Sequence, residues 1–217
     1  IDPVATSDLT TSQTATLYKN AATLVTSGTV STANGGTASS ISTSYTVATG
    51  TNRLLVVGIG SVPVSPVTSV TFNGVALTKL SQIANATTSK AEIWYLIAPP
   101  QVTANVVVNW TGTVEASVGI ANFVNVDQIN PFGTVATSTQ NVTSPFNYTV
   151  ASNIGDIIFD VVAKNGNSPA VTTGQTLIFG SGTNSVKVAS SYKTATAGTT
   201  AMSWTSSGSS AAWSGIG

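Results

Sequence analysis

Val67-Thr68-Ser69-Val70-Thr71-Phe72-Asn73-Gly74-Val75-Ala76-Leu77-Thr78-Lys79-Leu80 decides how the rest of the chain is read. Asn73-Gly74 is the pair a two-residue type I′ turn prefers, because both central positions take positive φ. With the turn there, Phe72 faces Val75 and Val70 faces Leu77, and all four lie on one face. Thr71 with Ala76, and Ser69 with Thr78, take the other face. Turn chemistry and period-two alternation agree, so an antiparallel hairpin is expected.

The same grammar extends outward. Arg53 to Gly60 is apolar on both faces and reads as a buried central strand. Glu92 to Ile97 is a second strand, stopped by Pro99-Pro100. Asn105 to Trp110 and Ala116 to Val126 follow, then a turn at Gln128 to Gly133. Tyr148 to Val150, Asp156 to Ala163, Thr176 to Phe179, Ser185 to Ser191, Thr200 to Trp204 and Ala211 to Ile216 complete the series. Strands at intervals of roughly 8–12 residues indicate a sandwich or jelly roll. Composition agrees: 27 Val, 13 Ile and 36 Thr stand against 9 Leu, and β-branched side chains suit a pleated surface. The expected fold is all-β, a jelly-roll-like antiparallel β-sandwich with an extended N-terminal arm. The arm is residues 1–22 and the sandwich 23–217. Residues 1–40 are rich in Thr, Ser and Ala, and Asn34-Gly35-Gly36 closes that segment.

The chain of 217 residues has no His, no Cys and only 6% charged residues, with a net charge of +0. These counts exclude a His general base, a Ser-His-Asp triad, a thiolate nucleophile, a disulfide and a His or Cys metal site. Seven carboxylates leave little for a two-carboxylate glycosidase. The expectation is no enzyme and no cofactor. Neutral charge gives no case for nucleic acid, and no apolar run reaches the roughly 20 residues of a membrane span. A start at Ile1 rather than Met reads as the end of a cleaved export signal, which places the protein outside the cell. With so few carboxylates, acid should remove few ion pairs, so acid tolerance is expected.

Asn85, Asn109, Asn141 and Asn147 each open an N-x-[ST] sequon and are candidate N-glycosylation sites. Asn85, Asn141 and Asn147 read as loop or strand-edge positions, whereas Asn109 sits at a strand end beside Trp110. Asp156 and Asp160 are four apart and share a strand face with Ile158 and Val162. Their readings are a calcium or catalytic site, or a carboxylate bonded to backbone and hydroxyls, and the second is preferred. Asp2 and Asp8 lack a calcium-loop pattern. A Lys-Asn isopeptide cross-link would draw on Lys79, Lys90 or Lys187, with Glu92 or Glu115 as the acid. Trp94, Trp110, Trp204 and Trp213 read either as a sugar-stacking platform or as core, with core preferred. Gly58-Ile59-Gly60 lacks the third glycine and the helix of a dinucleotide motif.

Asn52 to Gly58, Val70 to Thr78, Ile93 to Pro100, and Phe123 to Gly133 together resemble a recurring β-sandwich module of exported microbial proteins, over roughly residues 40–216. The layout of a processed start, a polar arm and a Cys-free sandwich rich in sequons is similar to archaeal extracellular filament subunits of the thread and bundling-pilus type. It is also similar to the TasA-like fibre proteins of bacteria. That resemblance implies a homopolymer with identical subunits, in surface appendages of biofilms. In such subunits the arm of one completes the sheet of the next, and here Val4, Leu9 and Leu17 would be its anchors. N-linked glycans would coat the outside. The alternative is a secreted glycan-binding or adhesive module.

Overall fold

The computed structural model describes residues 22–27, 31–62, 65–86, 88–180, 186–208 and 211–217. Val4, Leu9 and Leu17, with the rest of residues 1–21, lie outside the described residues.

The described chain is all-β and antiparallel. Its strands are β1 (Thr23–Ser27), β2 (Ser31–Thr46), β3 (Leu54–Val62), β4 (Val67–Phe72), β5 (Val75–Ala76), β6 (Thr78–Asn85), β7 (Ser89–Ile97) and β8 (Thr103–Val124). These form one sheet in the order β5-β4-β8-β3-β7-β6, with β1 and β2 also paired to β8. The second half holds β9 (Thr137–Val142), β10 (Phe146–Ala151), β11 (Ile157–Asn165), β12 (Ala170–Val171), β13 (Thr176–Gly180), β14 (Val186–Thr194), β15 (Thr199–Thr205) and β16 (Ala211–Ile216). They make a five-stranded sheet, β13-β14-β11-β16-β9, and a three-stranded sheet, β10-β15-β12.

The hairpin is where the sequence puts it. Asn73 and Gly74 have φ of 50° and 76°, Phe72 pairs with Val75, and the Leu77 N–H donates to the Val70 carbonyl at 2.8 Å. Beyond Leu77 the expected rungs stop. Thr78 pairs with Tyr95 of β7 rather than with Ser69, as the chain crosses to add β6 beside β7. Val75, at the tip, is exposed.

Two other boundaries differ from the sequence reading. The segments 105–110 and 116–126 are largely one strand, β8, of 22 residues. Gly112 takes φ 83° where the register with β2 shifts between Asn109 and Val114. Asn34-Gly35-Gly36 does not close a leader but lies inside β2, at a register shift between Ala33 and Ala38.

There are three apolar cores, one within the large sheet and two between sheets. The first contains Leu55, Val57, Ile59, Val70, Phe72, Val108, Trp110, Val118 and Ile120, all from the large sheet. That sheet therefore curls over its own face about β8. The second core lies between the opposite face of β3, β7 and β8 and the five-stranded sheet, with Val56, Ile93, Phe123, Val161, Phe179 and Val188. The third joins the five-stranded to the three-stranded sheet through Phe146, Val162, Met202, Trp204 and Trp213. The expected sandwich is present, with a third sheet added. β3 is buried on both faces, as its unbroken apolar run requires.

Candidate functional site

The second core is a wedge. Gly58 on β3 pairs with Gly119 on β8, and together they leave the space filled by the ring of Phe179. A Cβ on Gly119 would stand 2.2 Å from that ring, and one on Gly58 would stand 2.8 Å from Val161 and 2.9 Å from Phe179. Gly60 meets Val188 and Ala163 in the same way. The sheets can therefore approach closely along this stretch. Toward the start of β3 the glycines give way to Leu54 and Val56, and the facing strand presents Ile157 and Phe159. These larger side chains hold the sheets apart, and the interface opens into a cavity of about 560 Å³.

The cleft is lined by apolar Ala22, Leu54, Val56, Phe123 and Phe159 at its base and by polar Asn125, Asp127, Asn130, Asn153 and Asp156. Phe123 and Phe159 meet edge to face at 5.6 Å. The loop after β8 forms one wall, fixed by Phe132 against Tyr95 at 4.8 Å. Asp127 shapes this loop, accepting bonds from the N–H groups of Ile129 and Asn130. On the other wall Asp156 accepts from the Asn153 N–H at 2.7 Å. Ile154, which lines the cleft, and Ile129, in the wall loop, are 79% and 86% exposed.

The buried ionisable groups serve the fold. Asp160 is fully buried in the third core on the face of Ile158 and Val162. Its carboxylate accepts from the Tyr148 hydroxyl at 3.0 Å, Trp204 Nε1 at 2.7 Å, the Ser191 N–H at 2.9 Å and the Ser191 hydroxyl at 2.7 Å. Burial pushes its pKa up to about 6, and these four donors hold it from rising further. Burial and then the Asp160 charge raise Tyr148 well above its ordinary value, so the phenol stays a donor. This is the bonded-carboxylate reading rather than an open catalytic or metal site. Asp156 does not share the strand: it precedes β11 and is exposed.

Lys90 and Glu92 form a buried pair on β7, and Glu92 also accepts from Trp94 Nε1 at 3.0 Å. Lys90 donates to the Ser65 carbonyl at 3.3 Å. Lys79 lies over Trp94 at 5.4 Å and bonds Gln82, and Lys187 stands opposite Lys164 across β11 and β14. Glu115 is opposite Val62. Among the described residues, no group of three acidic side chains could hold a metal ion. All four tryptophans are buried, at 8% exposure or less, so they form no exposed stacking platform.

The sequons fall into two kinds. Asn85, at the end of β6, is half-buried, and its amide donates to the Gln140 carbonyl, Asn141 Oδ1 and the Trp213 carbonyl. Asn109, also half-buried, donates to Ser69 Oγ at 2.9 Å. Asn141 and Asn147 are exposed. The anchors Val4, Leu9 and Leu17 fall outside the described residues, so their placement enters no part of this geometry.

Comparison with protein-family models, with curated proteins and with solved structures gives no match. The functional reading therefore rests on this chain's own residues. The cleft itself escaped the sequence reading. Its only trace there was the contrast between Leu54-Val56 and Gly58-Gly60 on one face of a single strand.

Proposed function

We propose that this protein is a structural subunit of an extracellular filament, assembling head to tail by inserting its N-terminal segment, residues 1–22, into the β-sandwich of the next subunit. The supporting observation is the cleft of about 560 Å³ between the sheets, lined by apolar Ala22, Leu54, Val56 and Phe123 and by polar Asn125, Asp127, Asn153 and Asp156. An extended segment fills such a groove with alternate side chains and main-chain hydrogen bonds. A head-to-tail contact that does not close on itself yields an open polymer.

The arm's pattern sharpens the idea. In an extended strand Leu9 and Leu17 fall on one face and Val4 on the other. Twenty-one extended residues reach up to about 70 Å, enough to leave one subunit and enter another. Leu9 and Leu17 are thus the paired anchors. Replacing both by Ser should abolish polymer growth in electron micrographs and sedimentation, while Val4→Ser should weaken it less. Polymerisation indifferent to all three substitutions would defeat the reading. The glycan-binding or adhesive alternative would have to use other groups than the four tryptophans, which are buried.

A further inference from the structure

We propose that Asn141 and Asn147 are the asparagines that carry N-linked glycan on this chain, and that Asn85 and Asn109 stay bare. All four have the acceptor pattern, so the pattern does not separate them. Their surroundings do. A glycan replaces one hydrogen of the side-chain amide nitrogen and projects a bulky polar group from it, which the native surface must accommodate. At Asn85 that nitrogen already points at three acceptors between β6, β9 and β16, at 3.0, 3.1 and 3.3 Å. A sugar there would displace these bonds and strand the Gln140 and Trp213 carbonyls. At Asn109 the nitrogen bonds Ser69 across to β4.

Asn141 and Asn147 differ in each respect. Asn141 uses its oxygen, not its nitrogen, in the bond with Asn85. Asn147 lies on the outward face of β10, with Asn147 and Thr149 exposed and Phe146, Tyr148 and Val150 buried between them. The hydroxyl-bearing residue of each sequon, Thr143 and Thr149, is exposed as well. β9 and β10 are both edge strands of their sheets, and Gln140 Nε2 donates to the Asn147 carbonyl at 2.7 Å. The two acceptors therefore share one corner of the molecule. Asn147 lies three residues along β10 from Val150, which lines the cleft, a span of about 10 Å. The inference rests on the surroundings of the four asparagines and holds whether or not the cleft takes an arm.

The donor is an oligosaccharide on a lipid diphosphate. The amide nitrogen attacks the anomeric carbon, the N–C bond forms and the C–O bond to the diphosphate breaks. The lipid diphosphate leaves with the electron pair, and the amide proton passes to a base of the transferase.

The test uses the full chain, exported from an N-glycosylating host beside a reporter glycoprotein known to be modified there. Enzymatic release of glycans in heavy-oxygen water converts each occupied Asn to labelled Asp, which peptide mapping locates. Label at 141 and 147, with none at 85 or 109, is expected, and the N141Q/N147Q variant should show the bare intact mass. N85Q should lower the melting temperature without changing glycan mass. Label at Asn85 or Asn109, or bare Asn141 and Asn147 beside a modified reporter, would overturn the inference.

Discussion

One pair of sheets meets in two different ways. Along Gly58, Gly60 and Gly119 the central sheet and the five-stranded sheet touch closely enough for Phe179 to lie against bare backbone. A few residues away, at Leu54, Val56, Phe123 and Phe159, the same sheets stand apart around a cleft. The difference is side-chain volume. Glycine lets sheets close, and leucine or phenylalanine props them open.

The largest effect should come from Gly119→Val, which drives a side chain into the Phe179 ring. Overpacking of this kind should cost about 3 kcal/mol, the upper end of the usual range, in chemical or thermal unfolding. The matching change at the open end, Gly133→Ala, meets nothing within 4 Å and should shift stability by less than about 0.5 kcal/mol. Similar losses at both positions would erase the contrast between the ends.

Asp160→Asn comes next. It replaces one acceptor oxygen with an amide donor that faces the donors of Tyr148 and Trp204 or of Ser191, and should cost about 2–3 kcal/mol at pH 7. The same residue sets a pH dependence. Its folded pKa of about 6 lies above the unfolded value, so the carboxylate binds its proton more tightly when folded. Its contribution is complete below about pH 4 and is lost as pH rises through 6. Acidification from pH 7 to 4 should raise the wild type relative to the Asn variant by up to about 3 kcal/mol. A wild-type profile that falls steeply over that window, in parallel with the variant, would refute the assignment and the acid tolerance together.

The smallest effect on stability should be at Ile154. Ile154→Ser removes an exposed side chain and should change unfolding by less than about 0.5 kcal/mol. If the open end is a docking surface, polymer formation should nevertheless fall sharply, as sedimentation would show.

What could be read in advance was local. Asn73-Gly74 and the flanking alternation determine a hairpin within a dozen residues. The apolar run of β3 announces burial on both faces, and Asp160 was placed on its correct face with Ile158 and Val162. What could not be read was set by distant partners. Nothing near Asp160 in sequence names Trp204 or Ser191 as its donors. Gly58-Ile59-Gly60 looks like a failed cofactor motif until Phe179 is seen against it. The polar surroundings of Asn85 suggested a free loop, whereas Gln140 and Trp213 hold its amide. β8 read as two strands, 105–110 and 116–126, yet β2 pairs with it on both sides of Gly112.

The central claim is that residues 1–22 of one subunit enter the cleft of the next. Electron microscopy of the full chain beside a chain lacking residues 1–22, at matched concentration, tests it most directly. The account predicts filaments from the full chain and single folded particles from the truncated one. Filaments of the same form without residues 1–22 would contradict it.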